Sequence, residues 1–272
     1  MFDKVLNDAI EAAKQNIRAE EGDYIGEDGL LYCGRCNTAK EHILSLNGRK
    51  VPVICKCTQE RDREEARRRQ ARELRSICFR YPEQTEATFE SDAGYIPKVS
   101  EAAKRYCENF DTLRKKGLGM LLYGPFGTGK SFYAYAIANA LTDRLYKVRV
   151  WQLEQMYREF ESGGRRSQFF DYLVSLHLAV IDDLGAEKQT KELTSFTFNV
   201  IDALYCSRTP FVVTTNVTLK ELTGTHDGDR RRIYERILER CPCPILVDRP
   251  EGSIRYTRVR EENPEYRSLL GI

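Results

Sequence analysis

Between Gly119 and Asp248 the chain alternates short apolar runs with longer, helix-patterned segments. GMLLYG, KVRVWQ, LAVIDDLG, FVVTTN and PILVD, starting at Gly119, Lys147, Leu178, Phe211 and Pro244, predict five strands. The segments between them, such as SFYAYAIANAL from Ser131, read as helices. Strands separated by helices predict an α/β fold with a parallel five-stranded sheet covered on both faces. Upstream the pattern changes. TQERDREEARRRQARELRSI, from Thr58, has no Gly or Pro and carries both charge signs at three- and four-residue spacing, which predicts a solvated helix. It reads equally as a spacer or as a docking or nucleic-acid surface. Tyr81-Pro82 breaks it, and turn-forming composition follows to about Pro97. Two domains are therefore expected, residues 1–80 and 81–272. The first 17 residues, MFDKVLNDAIEAAKQNI, show an amphipathic helix pattern.

Charge adds little, because 43 Lys and Arg nearly balance 41 Asp and Glu. Any nucleic-acid surface must be local. No apolar stretch approaches the ~20 residues that span a bilayer, and no signal-peptide core opens the chain. A cytoplasmic protein without a membrane partner is expected. Cysteine changes the picture more, since the chain holds nine and cytoplasmic thiols stay reduced. Cys33-x-x-Cys36 and Cys55-x-Cys57 have the count and spacing of a structural zinc site, with Gly34 suiting a knuckle turn. His42 is an alternative ligand. Four thiolates leave no open position, so this zinc would hold a fold and catalyse nothing. Cys78, Cys107, Cys206, Cys241 and Cys243 read as packing residues.

The chemistry-bearing motif is GPFGTGKS, residues 124–131, placed between a predicted strand and a predicted helix. It fits G-x-x-x-x-G-K-[ST]. Glycines let backbone N–H groups turn toward phosphates, Lys130 reaches the β and γ groups, and the Ser131 hydroxyl ligates Mg²⁺. Gly124, Pro125, Gly127, Thr128, Gly129, Lys130, Ser131 and Phe132 make up the expected nucleotide-contacting run. LAVI ends in Asp182-Asp183, where the first carboxylate would hold the magnesium water shell and the second polarise the attacking water. Asn216 ends another apolar strand, either as a turn former or to orient that water. Arg232 and Arg236 lie four apart in RRRIYERILER, with Ile233 and Ile237 supplying a buried side. They are surface charges or an arginine finger serving a neighbouring subunit. In GSIR, Arg255 could reach the phosphates of its own subunit. EFESGGRRSQFFDYL, from Glu159, mixes arginines and aromatics. It suits a single-strand contact, or a loop followed by an amphipathic helix.

GPFGTGKS, VIDDLGAE, VVTTN, the arginine pair ending in Arg236, and GSIR, in this order, resemble the AAA+ ATPases of the bacterial and phage DnaC/DnaI helicase-loader group. The resemblance covers about residues 85 to 262, and IDDLGAE followed by TTN is its most specific part. The cysteine knuckle is similar to the zinc-bearing N-terminal domains of DnaI-type loaders. The resemblance implies a P-loop NTPase domain using ATP and Mg²⁺, without the lid domain, which self-associates through the ATP site. It also implies an N-terminal domain that grips a replicative hexameric helicase, single-stranded DNA binding, and a role in DNA replication initiation. Related ATPases commonly place Glu at the position of Asp183, and the shorter arm would slow hydrolysis. Two other readings stand beside this one: a transposition helper ATPase of the IstB type, and a nucleotide-switched adaptor that binds ATP and scarcely hydrolyses it.

Overall fold

The computed structural model describes residues 19–45, 48–163, 166–186, 190–249, 252, 254, 259 and 263–271. The amphipathic pattern of the first 17 residues lies outside them. The chain forms two compact units that divide between Gln70 and Ala71.

The first unit carries two small antiparallel pairs, β1 (Tyr24–Ile25) with β2 (Leu31–Tyr32) and β3 (Glu41–Ile43) with β4 (Lys50–Pro52). The sequence predicts the cysteine knuckle here but not these strands, which are too short to show a period. Each pair ends just ahead of a cysteine pair. After β2 the chain turns tightly: Cys33 N–H donates to Thr38 O, Asn37 N–H donates to Cys33 O, and Asn37 takes a left-handed φ of 52°. Gly34 has to be glycine, because a Cβ there would stand 1.9 Å from Gly22 O. Lys40 and Asp23 form a buried ion pair of 2.5 Å beside this turn. The Lys40 hydrogen bond, helped by backbone N–H groups, pulls the Asp23 carboxyl down to about 2.

Helix α1 (Lys56–Cys78) is the predicted charged helix, and most of it is exposed. Its last turn differs, because Cys78 and the following Phe79 are buried in the core of the second unit. Proline then supplies the N-terminus of a short helix, α2 (Pro82–Glu86).

The second unit is built on five parallel strands: β5 (Met120–Tyr123), β6 (Val148–Gln152), β7 (Leu178–Leu184), β8 (Phe211–Thr215) and β9 (Ile245–Leu246). All five lie within the predicted runs. Their order in the sheet is β6-β7-β8-β5-β9. Alternate residues point to opposite faces, as the two-residue period requires. Leu121, Ala179, Ile181, Phe211 and Val213 join one core, with α6 (Leu153–Ser162), α7 (Arg166–Val174), α8 (Lys191–Ser207) and α10 (Gly228–Arg240). Leu122, Leu178, Val180 and Val212 join the other, with α3 (Pro97–Glu108), the start of α4 (Phe110–Lys116) and α5 (Lys130–Asp143). Short helices α9 (Leu219–Gly224) and α11 (Tyr266–Leu270) complete the described elements.

Three of the five cysteines read as packing residues are buried: Cys78, Cys107 and Cys241. Cys206 and Cys243 are exposed. Cys206 lies on the outer side of α8, and Cys243 in the turn after α10, where neighbouring apolar sequence does not translate into burial. Among the described residues no helix is long and apolar enough to cross a membrane.

Candidate nucleotide and metal sites

The sheet order decides the site. β8 separates the strand that feeds the GPFGTGKS loop from the strand that carries Asp182 and Asp183, so residues at the end of β8 stand between the two. The loop follows β5, and α5 begins at Lys130. Gly124, Gly127 and Gly129 take φ values of 145°, 74° and 96°. Side chains resist that region, which is why the loop can turn its backbone inward only with glycine at these places. Gly124 is doubly constrained, since a Cβ would lie 2.3 Å from Val247 O. Thr128 is buried, and its hydroxyl donates to Pro125 O at 3.0 Å.

Lys130 is 6% exposed, and its ammonium donates to Gly124 O at 2.9 Å, Pro125 O at 2.6 Å and Asn216 Oδ1 at 2.7 Å. Burial lowers its pKa, opposed by the nearby Asp183 and Asp182. Asn216 in turn donates through Nδ2 to Asp183 Oδ1 at 2.7 Å. An ammonium only donates and a carboxylate only accepts, so these neighbours fix which way the amide points. Lysine, amide and carboxylate form one chain across three elements.

The two aspartates are adjacent, yet they reach residues two apart, Thr214 on β8 and Asn216 just after it. Asp182 Oδ1 accepts from the Thr214 hydroxyl at 2.7 Å, and Asp183 bonds Asn216. A regular strand would aim neighbours to opposite faces. Here the β7–β8 register shifts between Ile181 and Leu184, and Asp183 takes a left-handed φ of 61°. The bulge re-aims the second carboxylate. Asp183 N–H donates to Thr214 Oγ1 at 2.7 Å, holding the bulge closed.

Tyr135 and Thr214 belong to this constellation although neither is among the residues the sequence singles out. The Tyr135 hydroxyl donates to Asp182 Oδ2, and burial, then the Asp182 charge, pushes the phenol's pKa well up. Tyr135 lies within an apolar helical run, where it reads as packing. Thr214 was within reach, since it precedes Asn216 by two in the predicted strand run FVVTTN, where a two-residue period would put both on one face.

Ser131 is half-buried at the start of α5, and Phe132 packs on the second core. Ile254 N–H donates to Gly127 O at 2.9 Å, which lays this part of GSIR on the loop. Arg255 itself lies outside the described residues. Arg236 is turned toward its own subunit: Nη2 is 2.8 Å from Asp202 Oδ1, and the guanidinium stacks 4.5 Å over the Phe198 ring. Arg232, one turn earlier, is exposed, while Ile233 and Ile237 are buried as their spacing predicts. In the arginine–aromatic stretch, Phe160, Phe169 and Phe170 pack against the first core and Arg166 covers Phe160 at 5.3 Å. The three rings meet edge to face, and Arg166–Val174 is helical, as the loop-and-helix alternative expects.

In the first unit the sulfurs of Cys33, Cys36, Cys55 and Cys57 all lie within 4.8 Å of one another. Cys33 to Cys57 is 3.6 Å and Cys55 to Cys57 is 3.4 Å. A tetrahedron with Zn–S of about 2.3 Å has edges of about 3.8 Å, so the donor set fits that ion. The Thr38 hydroxyl draws the Cys36 thiol down to about 6, whereas neighbouring thiols push Cys57 up to about 12. His42 is exposed on β3 and is not part of the cluster.

A family model for IstB-like ATP binding proteins matches residues 56–246, which is most of the chain. The chain belongs to that family, whose members are AAA+ P-loop ATPases. The replicative helicase loader DnaI of Bacillus subtilis (strain 168) is 25% identical over 91% of this chain and 82% of its own length. A putative insertion sequence ATP-binding protein of Sinorhizobium fredii is 31% identical, over 50% of this chain and 45% of its own length. The crystal structure of DnaI superposes with a TM-score of 0.52 at 22% identity, covering 63% of this chain and 96% of that one. The ATPase fold is thus shared with helicase loaders.

Proposed function

We propose that the protein is an ATP-dependent loader of a hexameric replicative helicase in replication initiation, with a zinc-bound first unit that grips the helicase and an ATPase unit that times release. The observation that carries this reading is the cysteine cluster joined to an ATPase of this family. The similarity to DnaI runs through both units, whereas similarity to the insertion sequence protein covers half of the chain.

In this reading the loop amides and Lys130 bind the β and γ phosphates of ATP, and Lys130 exchanges its carbonyl partners for phosphate oxygens. Ser131 and Asp182 would hold Mg²⁺, which supplies charge neutralisation on the phosphates when bound. Once Lys130 turns to phosphate, Asn216 Oδ1 is released to orient water. Asp183 polarises that water as the bond to the γ-phosphorus forms and the bond to the ADP oxygen breaks. Asp183 is shorter than glutamate and is tied to Asn216, which makes turnover slow. Arg255 of the same subunit and Arg236 of a neighbour would complete the charge on the γ-phosphate, and several copies would gather on single-stranded DNA or on the helicase.

The family match favours one competing reading, a helper ATPase of transposition. Capture of the full chain from its native cell with ATP separates the two. Recovery of a hexameric helicase supports the loader, and recovery of a transposase on duplex DNA overturns it.

A further inference from the structure

Asp182 is 2% exposed, and a carboxylate so buried needs its oxygens satisfied. Each oxygen has one hydroxyl donor. Thr214 Oγ1 serves Oδ1 from β8 at 2.7 Å, and the Tyr135 hydroxyl serves Oδ2 from α5. The Thr214 hydroxyl is itself oriented, because it accepts from Asp183 N–H at 2.7 Å and so directs its single proton to Asp182. Tyr135 likewise has one proton to give. Helical side chains lean toward the N-terminus, so a tyrosine five residues after Lys130 points back up α5 toward the phosphate loop and the end of β7. Packing alone would be met by phenylalanine. The hydroxyl is what needs a partner when buried, and the partner is Asp182.

Two donors from different elements fix both the rotation and the tilt of the carboxylate. They occupy two of its roughly four lone-pair sites and leave the rest for the water shell of an ion. We propose that Tyr135 is a positioning residue that holds the Asp182 carboxylate in the orientation Mg²⁺ needs, and that it couples the phosphate-loop helix to the metal-holding strand. This rests on the reading of Asp182 as the magnesium residue. Partners of this outer kind are typically worth about 10- to 100-fold in metal affinity.

The test is a Mg²⁺ titration of nucleotide binding by the full chain, using a fluorescent ATP analogue, with a parallel series in EDTA. Tyr135→Phe should bind the analogue like wild type in EDTA and need on the order of tenfold more Mg²⁺ for half-saturation. An unchanged or lower Mg²⁺ requirement overturns the proposal, as does equal weakening with and without the ion, which would mark a packing role. Asp182→Asn tests the underlying reading. If it leaves the Mg²⁺ dependence intact, Asp182 is not the metal residue and Tyr135 loses its function. If Asp182→Asn shifts the dependence and Tyr135→Phe does not, only the Tyr135 proposal fails. Thermal denaturation accompanies each variant. Should Tyr135→Phe be too unstable to assay, Thr214→Val removes the other donor. A raised Mg²⁺ requirement there supports the clamp, and an unchanged one overturns it.

Discussion

Lys130 Nζ lies 2.7 Å from Asn216 Oδ1 and so ties the first residue of α5 to the residue that follows β8. Asn216 passes that contact on to Asp183 at 2.7 Å, so the loop lysine and the second carboxylate are joined through one amide. Lys130→Ala should abolish ATP binding. Asp183→Asn should bind ATP like wild type and turn it over about 10²–10³-fold more slowly, the usual cost of losing one group that acts on developing charge. Calorimetric titration with ATP and phosphate release in single turnover measure the two quantities. Equal ATP affinity for wild type and Lys130→Ala would remove the site from this loop.

The cysteine cluster makes a separate prediction. Freshly purified protein should contain one zinc per chain, and Cys36→Ser should lose it. Metal binding free energy here is also folding free energy, so the first unit should unfold in that variant. The second unit should still melt cooperatively, because its sheet and both cores contain none of the four clustered cysteines. Metal analysis with differential scanning calorimetry reads both outcomes, and zinc-free native protein would contradict the assignment.

Gly124→Ala should weaken both stability and nucleotide binding. The residue sits at a φ of 145° and has Val247 O 2.3 Å from where a Cβ would be placed. Relief requires moving β9 or the loop, and overpacking of this kind costs about 1–3 kcal/mol. A thermal melt and an ATP titration of the same sample measure both. Wild-type values for both would show that the loop is not built to this geometry.

Arg236 is paired with Asp202 in its own subunit, so action in trans requires that pair to open. If neighbours use it, Arg236→Ala should leave ATP binding near wild type and lower turnover by roughly 10³- to 10⁵-fold. Mixing Lys130→Ala subunits, which keep the arginine, with Arg236→Ala subunits, which keep the ATP site, should restore phosphate release in the presence of single-stranded DNA or helicase. Failure of every mixture, with wild type active under the same conditions, would return Arg236 to the role its Asp202 pair describes.

The strands were legible because each is an apolar run bounded by turns, and the phosphate loop because its glycine spacing has one mechanical purpose. The four cysteines stood out as two close pairs, and the fold brings their sulfurs within 4.8 Å of one another. What stayed hidden depends on contacts between distant segments. Nothing local marks Tyr135 as different from Tyr133, and only the meeting of α5 with β7 gives it a carboxylate. The left-handed Asp183 arises from the register shift against β8, which one strand read alone cannot reveal. Phe169 and Phe170 look available beside their arginines until α7 turns them onto the core. Cys206 and Cys243 err the other way, with apolar neighbours in sequence and solvent in space.

If this chain delivers a replicative helicase under the control of ATP, the delivery can be followed directly. The direct measurement incubates the full chain with the hexameric replicative helicase of the same cell and closed single-stranded DNA circles, then follows helicase retained on the circles by co-sedimentation. Helicase should be retained when the chain and ATP are both present, and lost when Lys130→Ala replaces wild type or when Cys36→Ser removes the grip. Helicase that stays off the circles in every mixture, while the ATP-bound chain holds a transposase on duplex DNA, would make the chain a transposition helper instead.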